Sequence, residues 1–302
     1  MTDINDRFPG FRSGFVAIAG APNVGKSTLL NRMLGTKISI TSKKPQTTRN
    51  RIAGILHRPC SQLVFIDTPG VHRAKSPLNI RIVDVALSVL KDVDLILILV
   101  DATTSNPAQE QFLIKNLKKQ KKKVVLAINK IDLIDKKKIL SIIDRWANAY
   151  PFNCILPVSA KFGHEVEPLI ATMENLLLNG PPFFPEDAIT DMPERFIASE
   201  MIREKVFRFT GQEIPYSIAV SIDSFSEKKD GSLVKIYADI HVERDSQKGI
   251  IIGKNGSKLK KIGEEARKQI ERLLGTNVYL KLFVRVQKNW TRDTKALRKF
   301  GY

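Results

Sequence analysis

A chain of 302 residues, 43% hydrophobic and 26% charged, carries enough apolar material for two ordinary cores. It lacks any apolar run of about 18 residues, any basic and apolar secretory start, and any CxxC pair among its two cysteines, which speaks against a membrane span, export, a disulfide scaffold or a zinc site. A net charge of +18, with +12 in residues 1–180, −5 in 181–243 and +11 in 244–302, excludes a neutral surface and points to a polyanionic partner, nucleic acid or anionic membrane.

In chain order, "FVAIAG" reads as a strand and a helical pattern begins at Lys26. The residues joining them, Gly20, Ala21, Pro22, Asn23, Val24, Gly25, Lys26 and Ser27, have the spacing of a phosphate-binding loop in the strand-to-helix setting that such a loop requires. Its glycines let backbone N–H groups turn toward phosphates, the helix start adds its positive dipole end, Lys26 reaches the outer phosphates, and Ser27 is a magnesium ligand. The next polar stretch, "KPQTTRNR" over 44–51, lacks a strand pattern and suits a segment ordered by the terminal phosphate. There Thr48, or alternatively Thr47, is the candidate second protein ligand of magnesium.

"LVFID" is a second strand, ending in Asp67, Thr68, Pro69 and Gly70. Asp67 is placed to hold magnesium through water and the Gly70 amide to meet the terminal phosphate. Val71 follows, where a water-orienting glutamine would be useful, so hydrolysis is expected to be slow without help. Asn23 either ligates potassium beside the phosphates or shapes the turn. Lys26, Thr48 and Gly70 are the catalytic candidates.

A helix near Asn79–Leu90, the strand "LILILVD", a helix near Ala108–Lys118, the strand "VVLAINK", a helix near Lys137–Asn148 and the strand "CILPVSA" continue the alternation. This order predicts an α/β domain with a mostly parallel sheet and ligands at the strands' carboxyl ends. Two of those ends carry further motifs: Asn129, Lys130, Ile131 and Asp132, then Ser159, Ala160 and Lys161. A carboxylate at Asp132 accepts from the ring N–H and exocyclic amine of guanine and opposes adenine, making the nucleotide GTP or GDP.

Proline and acid mark a linker at 181–193, dividing residues 1–180 from a second domain at 194–288 and a basic tail at 289–302. The second domain reads helix, strand, strand, short helix, helix, strand. "IIIGKNGSKLKKIG", 250–263, begins with isoleucines of strand-like character and repeats the glycine and lysine of a phosphate loop, but lacks the magnesium hydroxyl and the guanine motifs.

The motifs "NVGKST", "KPQTTRNRI" and "DTPG", with "VERDSQKGIIIGKNGSKLKKIGEEAR" and the ending "KNWTRDTKALRKFGY", resemble those of the Era family of bacterial GTPases over nearly the full chain. That resemblance implies a P-loop GTPase domain followed by a smaller α+β type II KH domain. It further implies binding to the 3′ end of small-subunit ribosomal RNA and the 30S precursor, coupled to the GTP cycle, with peripheral attachment to the inner membrane of a cytoplasmic, monomeric protein. In a KH domain a GxxG turn clamps the backbone of single-stranded RNA. On that basis Gly253 and Gly256 permit close approach, Lys254, Asn255 and Lys258 contact phosphates, and Ile250, Ile251 and Ile252 form groove floor. Trp290 either stacks on bases beside Arg292 or packs on the domain's sheet.

Overall fold

The computed structural model describes residues 8–41, 51–70, 77–210, 214, 218–293, 296, 297 and 300. Two compact units emerge, one made of Met1–Ser39 and Thr48–Asp191, the other of Ile40–Thr47 and Met192–Tyr302.

The first unit is a six-stranded sheet in the order β2-β3-β1-β4-β5-β6. Its strands are β1 (Arg12–Gly20), β2 (Ile52–Arg58), β3 (Ser61–Asp67), β4 (Leu95–Asp101), β5 (Lys123–Asn129) and β6 (Cys154–Pro157). All pairings are parallel except β2 with β3. Helices α1 (Lys26–Leu34), α2 (Pro77–Asp92), α3 (Pro107–Leu117), α4 (Lys136–Ala149) and α5 (Val166–Leu176) alternate with them. Strands covered on both faces read as continuous apolar runs, and Leu95–Leu99 of β4 are fully buried. Local chemistry sets the helix starts. Asn106 accepts from the Gln109 N–H ahead of Pro107, and Asp135 accepts from the Lys137 N–H, each satisfying a first-turn donor.

The sequence reading anticipates five of these strands. It misses β2, an antiparallel strand beginning directly after the polar 44–51 stretch, and it also omits α5. The proline-rich segment after α5 runs back along the sheet. Gln62, 1% exposed, accepts from the N–H groups of Phe183 and Phe184 at 2.7 and 3.0 Å and donates to the Phe184 carbonyl at 2.8 Å. Further along, the Ile55 N–H donates to the Ile189 carbonyl and Thr190 Oγ1 to the Ala53 carbonyl.

The second unit has a three-stranded sheet, β7 (Ala219–Glu227), β8 (Leu233–Val242) and β9 (Asn277–Val286), with β8 antiparallel to β7 and parallel to β9. Three helices accompany it: α6 (Glu194–Phe209), α7 (Asp245–Ile252) and α8 (Ser257–Leu274). Ile197, Ile202 and Phe207 of α6 share one core with Ile236 and Ile240 of β8 and with Ile262 and Ile270 of α8. The order matches the predicted one, with one correction: the isoleucines at 250–252 end a helix and do not form a strand.

Gln62→Leu leaves three main-chain groups of the returning segment without their partner. We expect a loss of about 2–4 kcal/mol, measured as a lowered urea midpoint; a loss below about 0.5 kcal/mol would show that the segment is held by other contacts.

Candidate functional site

β1 ends at Gly20 and α1 starts at Lys26, so the phosphate-loop residues lie at the carboxyl end of the sheet, where open parallel sheets bind ligands. Lys26 is 7% exposed, and its ammonium donates to the carbonyls of Gly20 at 3.2 Å and Ala21 at 2.9 Å. Burial pulls its pKa from an ordinary 10.5 down to about 8, against the smaller opposing pull of Asp67. Removal from water disfavours a charge that phosphate oxygens would restore.

The fully buried carboxylate of Asp67 accepts at Oδ2 from Ser27 Oγ at 2.7 Å and from Ser39 Oγ at 2.8 Å. Hydroxyls and carboxylate form an all-oxygen set, the chemistry that magnesium takes. Ser27 and Asp67 would hold the ion, directly and through water, while the ion neutralises phosphate charge. No cluster of three His, Cys, Asp or Glu side chains is present among the described residues. Ser39 was not anticipated, since nothing in "TKISI" marks one serine as special. Thr68 is fully buried, and its hydroxyl donates to the Ile18 carbonyl at 2.8 Å, which ties the second phosphate loop to β1.

Gly70 is required by contact. A Cβ there would lie 2.7 to 2.9 Å from Pro22, so the second phosphate loop rests directly on the first. Thr47, Thr48 and Val71 lie outside the described residues. Asn23 has φ 65°, a left-handed conformation that asparagine tolerates, so the turn-shaping role holds whatever its side chain binds.

The motifs that follow β5 and β6, expected to read the base, meet around Asn129, 3% exposed. Its amide donates to the Val24 carbonyl at 2.7 Å and accepts from the Ala160 N–H at 2.9 Å. Ser159 Oγ donates to Asp132 Oδ1 at 2.6 Å, which orients an exposed carboxylate. The ammonium of Lys130 pairs with Asp101 at 2.5 Å. Lys161 holds its ammonium 4.8 Å from the Phe162 ring centre, and Phe162 is 54% exposed at the rim of this loop. Phe162 is a neighbour that motif spacing alone does not flag.

In the second unit the glycine loop is a single tight turn, Lys254–Gly256, joining α7 to α8. Gly253, at φ 71°, closes α7 with its N–H on the Gly249 carbonyl, and a Cβ there would meet the Lys258 Cβ at 2.7 Å. Lys254 and Asn255 are exposed and Lys258 is half-buried. α8 has no acidic residue in its first turn and places Lys258, Lys260 and Lys261 near its start. Cations at a helix N-terminus oppose the dipole, whereas phosphate there is favoured by both.

One expectation for this region is corrected, and one of two alternatives is selected. Ile251 is fully buried in the core and cannot form groove floor, although Ile250 and Ile252 are partly exposed around it. Trp290 is also fully buried, edge-on to Phe300 at 5.1 Å. It packs and does not stack on bases. The Arg292 side chain lies outside the described residues.

Residues 15–130 match the family described as 50S ribosome-binding GTPase, and residues 213–291 match the KH domain. The chain is 58% identical to GTPase Era of Geotalea uraniireducens and 57% identical to that of Geobacter metallireducens, in each case over 97% of this chain and 98% of the relative. Two solved structures are similar at TM-score 0.93, each covering 97% of this chain and 99% of theirs. One, 41% identical, is a variant of Aquifex aeolicus Era bound to GDP·AlF4−; the other, 42% identical, is Era in complex with MgGDPNP and nucleotides 1506–1542 of 16S ribosomal RNA.

The lowered Lys26 pKa has a proton signature. At pH 8 the free lysine is half charged, and phosphates restore the full charge, so binding takes up about half a proton. Affinity falls as pH rises beyond about 8. Calorimetry in two buffers of different ionisation enthalpy reads the uptake; zero uptake would mean that Lys26 is fully charged beforehand.

Proposed function

The chain belongs to the Era family of GTPases, and from that membership we propose that GTP binding and hydrolysis govern its grip on the 3′ end of 16S ribosomal RNA during 30S subunit maturation. The observation that carries the RNA half is the turn Gly253–Gly256 at the start of α8, where a tight backbone approach, exposed Lys254 and Asn255, and an acid-free helix start coincide. The solved relative that carries both MgGDPNP and nucleotides 1506–1542 of 16S ribosomal RNA supports the pairing of these two ligands. The same reading places the protein in the cytoplasm as a monomer, with peripheral contact at the inner membrane.

In the hydrolytic site, the Lys26 ammonium neutralises charge that builds on the outer phosphates, and the Gly70 main chain lies against the phosphate loop to sense the terminal one. Bound magnesium adds Lewis-acid charge at the phosphate oxygens. Asn129 and Ser159 fix the peptide and carboxylate that read guanine. The base and phosphates are thereby held by separate parts of one brace, leaving hydrolysis to depend on how the attacking water is oriented. Valine at 71 offers neither donor nor acceptor for this. We assign the compensating role to a potassium ion at Asn23, which adds positive charge beside the phosphates.

Turnover is therefore expected to be about tenfold faster in potassium than in sodium of equal ionic strength, read as GTP hydrolysis rates; equal rates in the two salts would remove the ion.

For RNA, Gly253→Asp forces a Cβ against Lys258 and adds a negative charge where phosphate belongs. Affinity for a short single-stranded RNA with the 3′-end sequence should drop at least about tenfold, measured by fluorescence anisotropy with GTP analogue and with GDP. Undiminished RNA affinity, or stronger binding to anionic liposomes than to RNA, would sink the clamp.

A further inference from the structure

Arg32 lies in the last turn of α1, six residues beyond the phosphate-loop lysine, and belongs to none of the nucleotide motifs. Its Nε donates to the Ala160 carbonyl at 3.3 Å, and its Nη2 donates to the Lys161 carbonyl. One guanidinium thus spans two successive carbonyls of the base-reading loop, the fork geometry that arginine offers and lysine does not. The loop is folded over this contact. Gly163 donates to the Ser159 carbonyl at 2.7 Å, Ser159 donates to the His164 carbonyl at 3.0 Å, and a Cβ at Gly163 would lie 3.6 Å from the Arg32 Cδ.

The consequence follows from peptide geometry. In a trans peptide the C=O and the following N–H point in opposite directions. Turning the Ala160 and Lys161 carbonyls toward Arg32 therefore turns the Lys161 and Phe162 N–H groups away from it. The Phe162 N–H meets Ser159 Oγ at 3.4 Å, and the preceding Ala160 N–H meets Asn129 Oδ1. The Lys161 N–H is the donor that remains to be assigned in this loop.

We propose that Arg32 is a positioning residue for guanine recognition, holding the 160–161 main chain so that the Lys161 N–H donates to the 6-oxo group of the base. Asp132 reads the ring N–H and 2-amino edge, and Arg32 governs the other edge from the far side of the loop. Because α1 also carries Lys26 and Ser27, the helix that anchors the phosphates also sets the base loop. This inference rests on assigning Ser159–Lys161 to the guanine base.

The test compares the full chain with Arg32→Ala and Arg32→Lys, using GTP, 6-thioguanosine triphosphate and inosine triphosphate. The thio analogue keeps the edge read by Asp132 but offers a weaker acceptor at position 6, while the inosine analogue keeps the 6-oxo group and lacks the 2-amino group. Arg32→Ala is expected to weaken GTP binding roughly tenfold. The loss should appear in KM and in faster GDP release, with kcat at saturating GTP changing by less than about twofold. The preference for GTP over the thio analogue should shrink by a similar factor, the preference over the inosine analogue should persist, and Arg32→Lys should restore part of the loss.

An equal loss for all three nucleotides, or none, would overturn the clamp. Asp132→Asn supplies the separate control: a shift toward xanthosine triphosphate upholds the guanine site even where the Arg32 clamp falls. Without such a shift the guanine assignment itself fails.

Discussion

One buried amide joins the separate parts of the nucleotide site. Asn129 ends β5, donates to the Val24 carbonyl in the phosphate loop and accepts from the Ala160 N–H beyond β6. Buried polar groups must be paired, so displacing either loop leaves an amide or a carbonyl unsatisfied. The parallel register of β1, β4, β5 and β6 brings the three segments to the carboxyl end of the sheet, and Asn129 then fixes their spacing. The loops assigned to base and phosphates are far apart in sequence and are linked through this side chain.

The phosphate end is equally constrained. Two serine hydroxyls converge on one oxygen of a fully buried carboxylate, and the second phosphate loop touches the first without space for a methyl group. Burial depresses the basicity of Lys26, and the phosphates of a nucleotide would offset that depression. A site arranged in this way favours highly charged ligands over weakly charged ones.

Much of this was legible in the sequence, because phosphate and guanine motifs each sit at the end of an apolar run and the alternation of strand and helix fixes where such ends gather. What escaped is informative. β2 follows a polar stretch and pairs antiparallel at the sheet edge, so it lacks the fully apolar run that marks β3 and β4. Ile251 was expected at the RNA groove, and base stacking was one of two alternatives for Trp290, because of their neighbours in sequence, yet burial depends on which face the fold turns inward. Trp290 lies among residues brought back by the tail, and no local pattern encodes that. Ser39 and Arg32 act across 28 and 128 positions or more, distances at which residue type alone carries no signal.

The lysine-rich start of α8 also bears on selectivity. A helix that gathers cations at its positive end, with no acid in the first turn, is electrostatically frustrated before it meets a ligand. Neutral molecules cannot relieve that frustration, and a single small anion relieves only part of it. A chain of phosphates passing the turn can relieve it step by step. The start of α8 is therefore a place where a repeating anion gains more than a neutral molecule or a single small anion does.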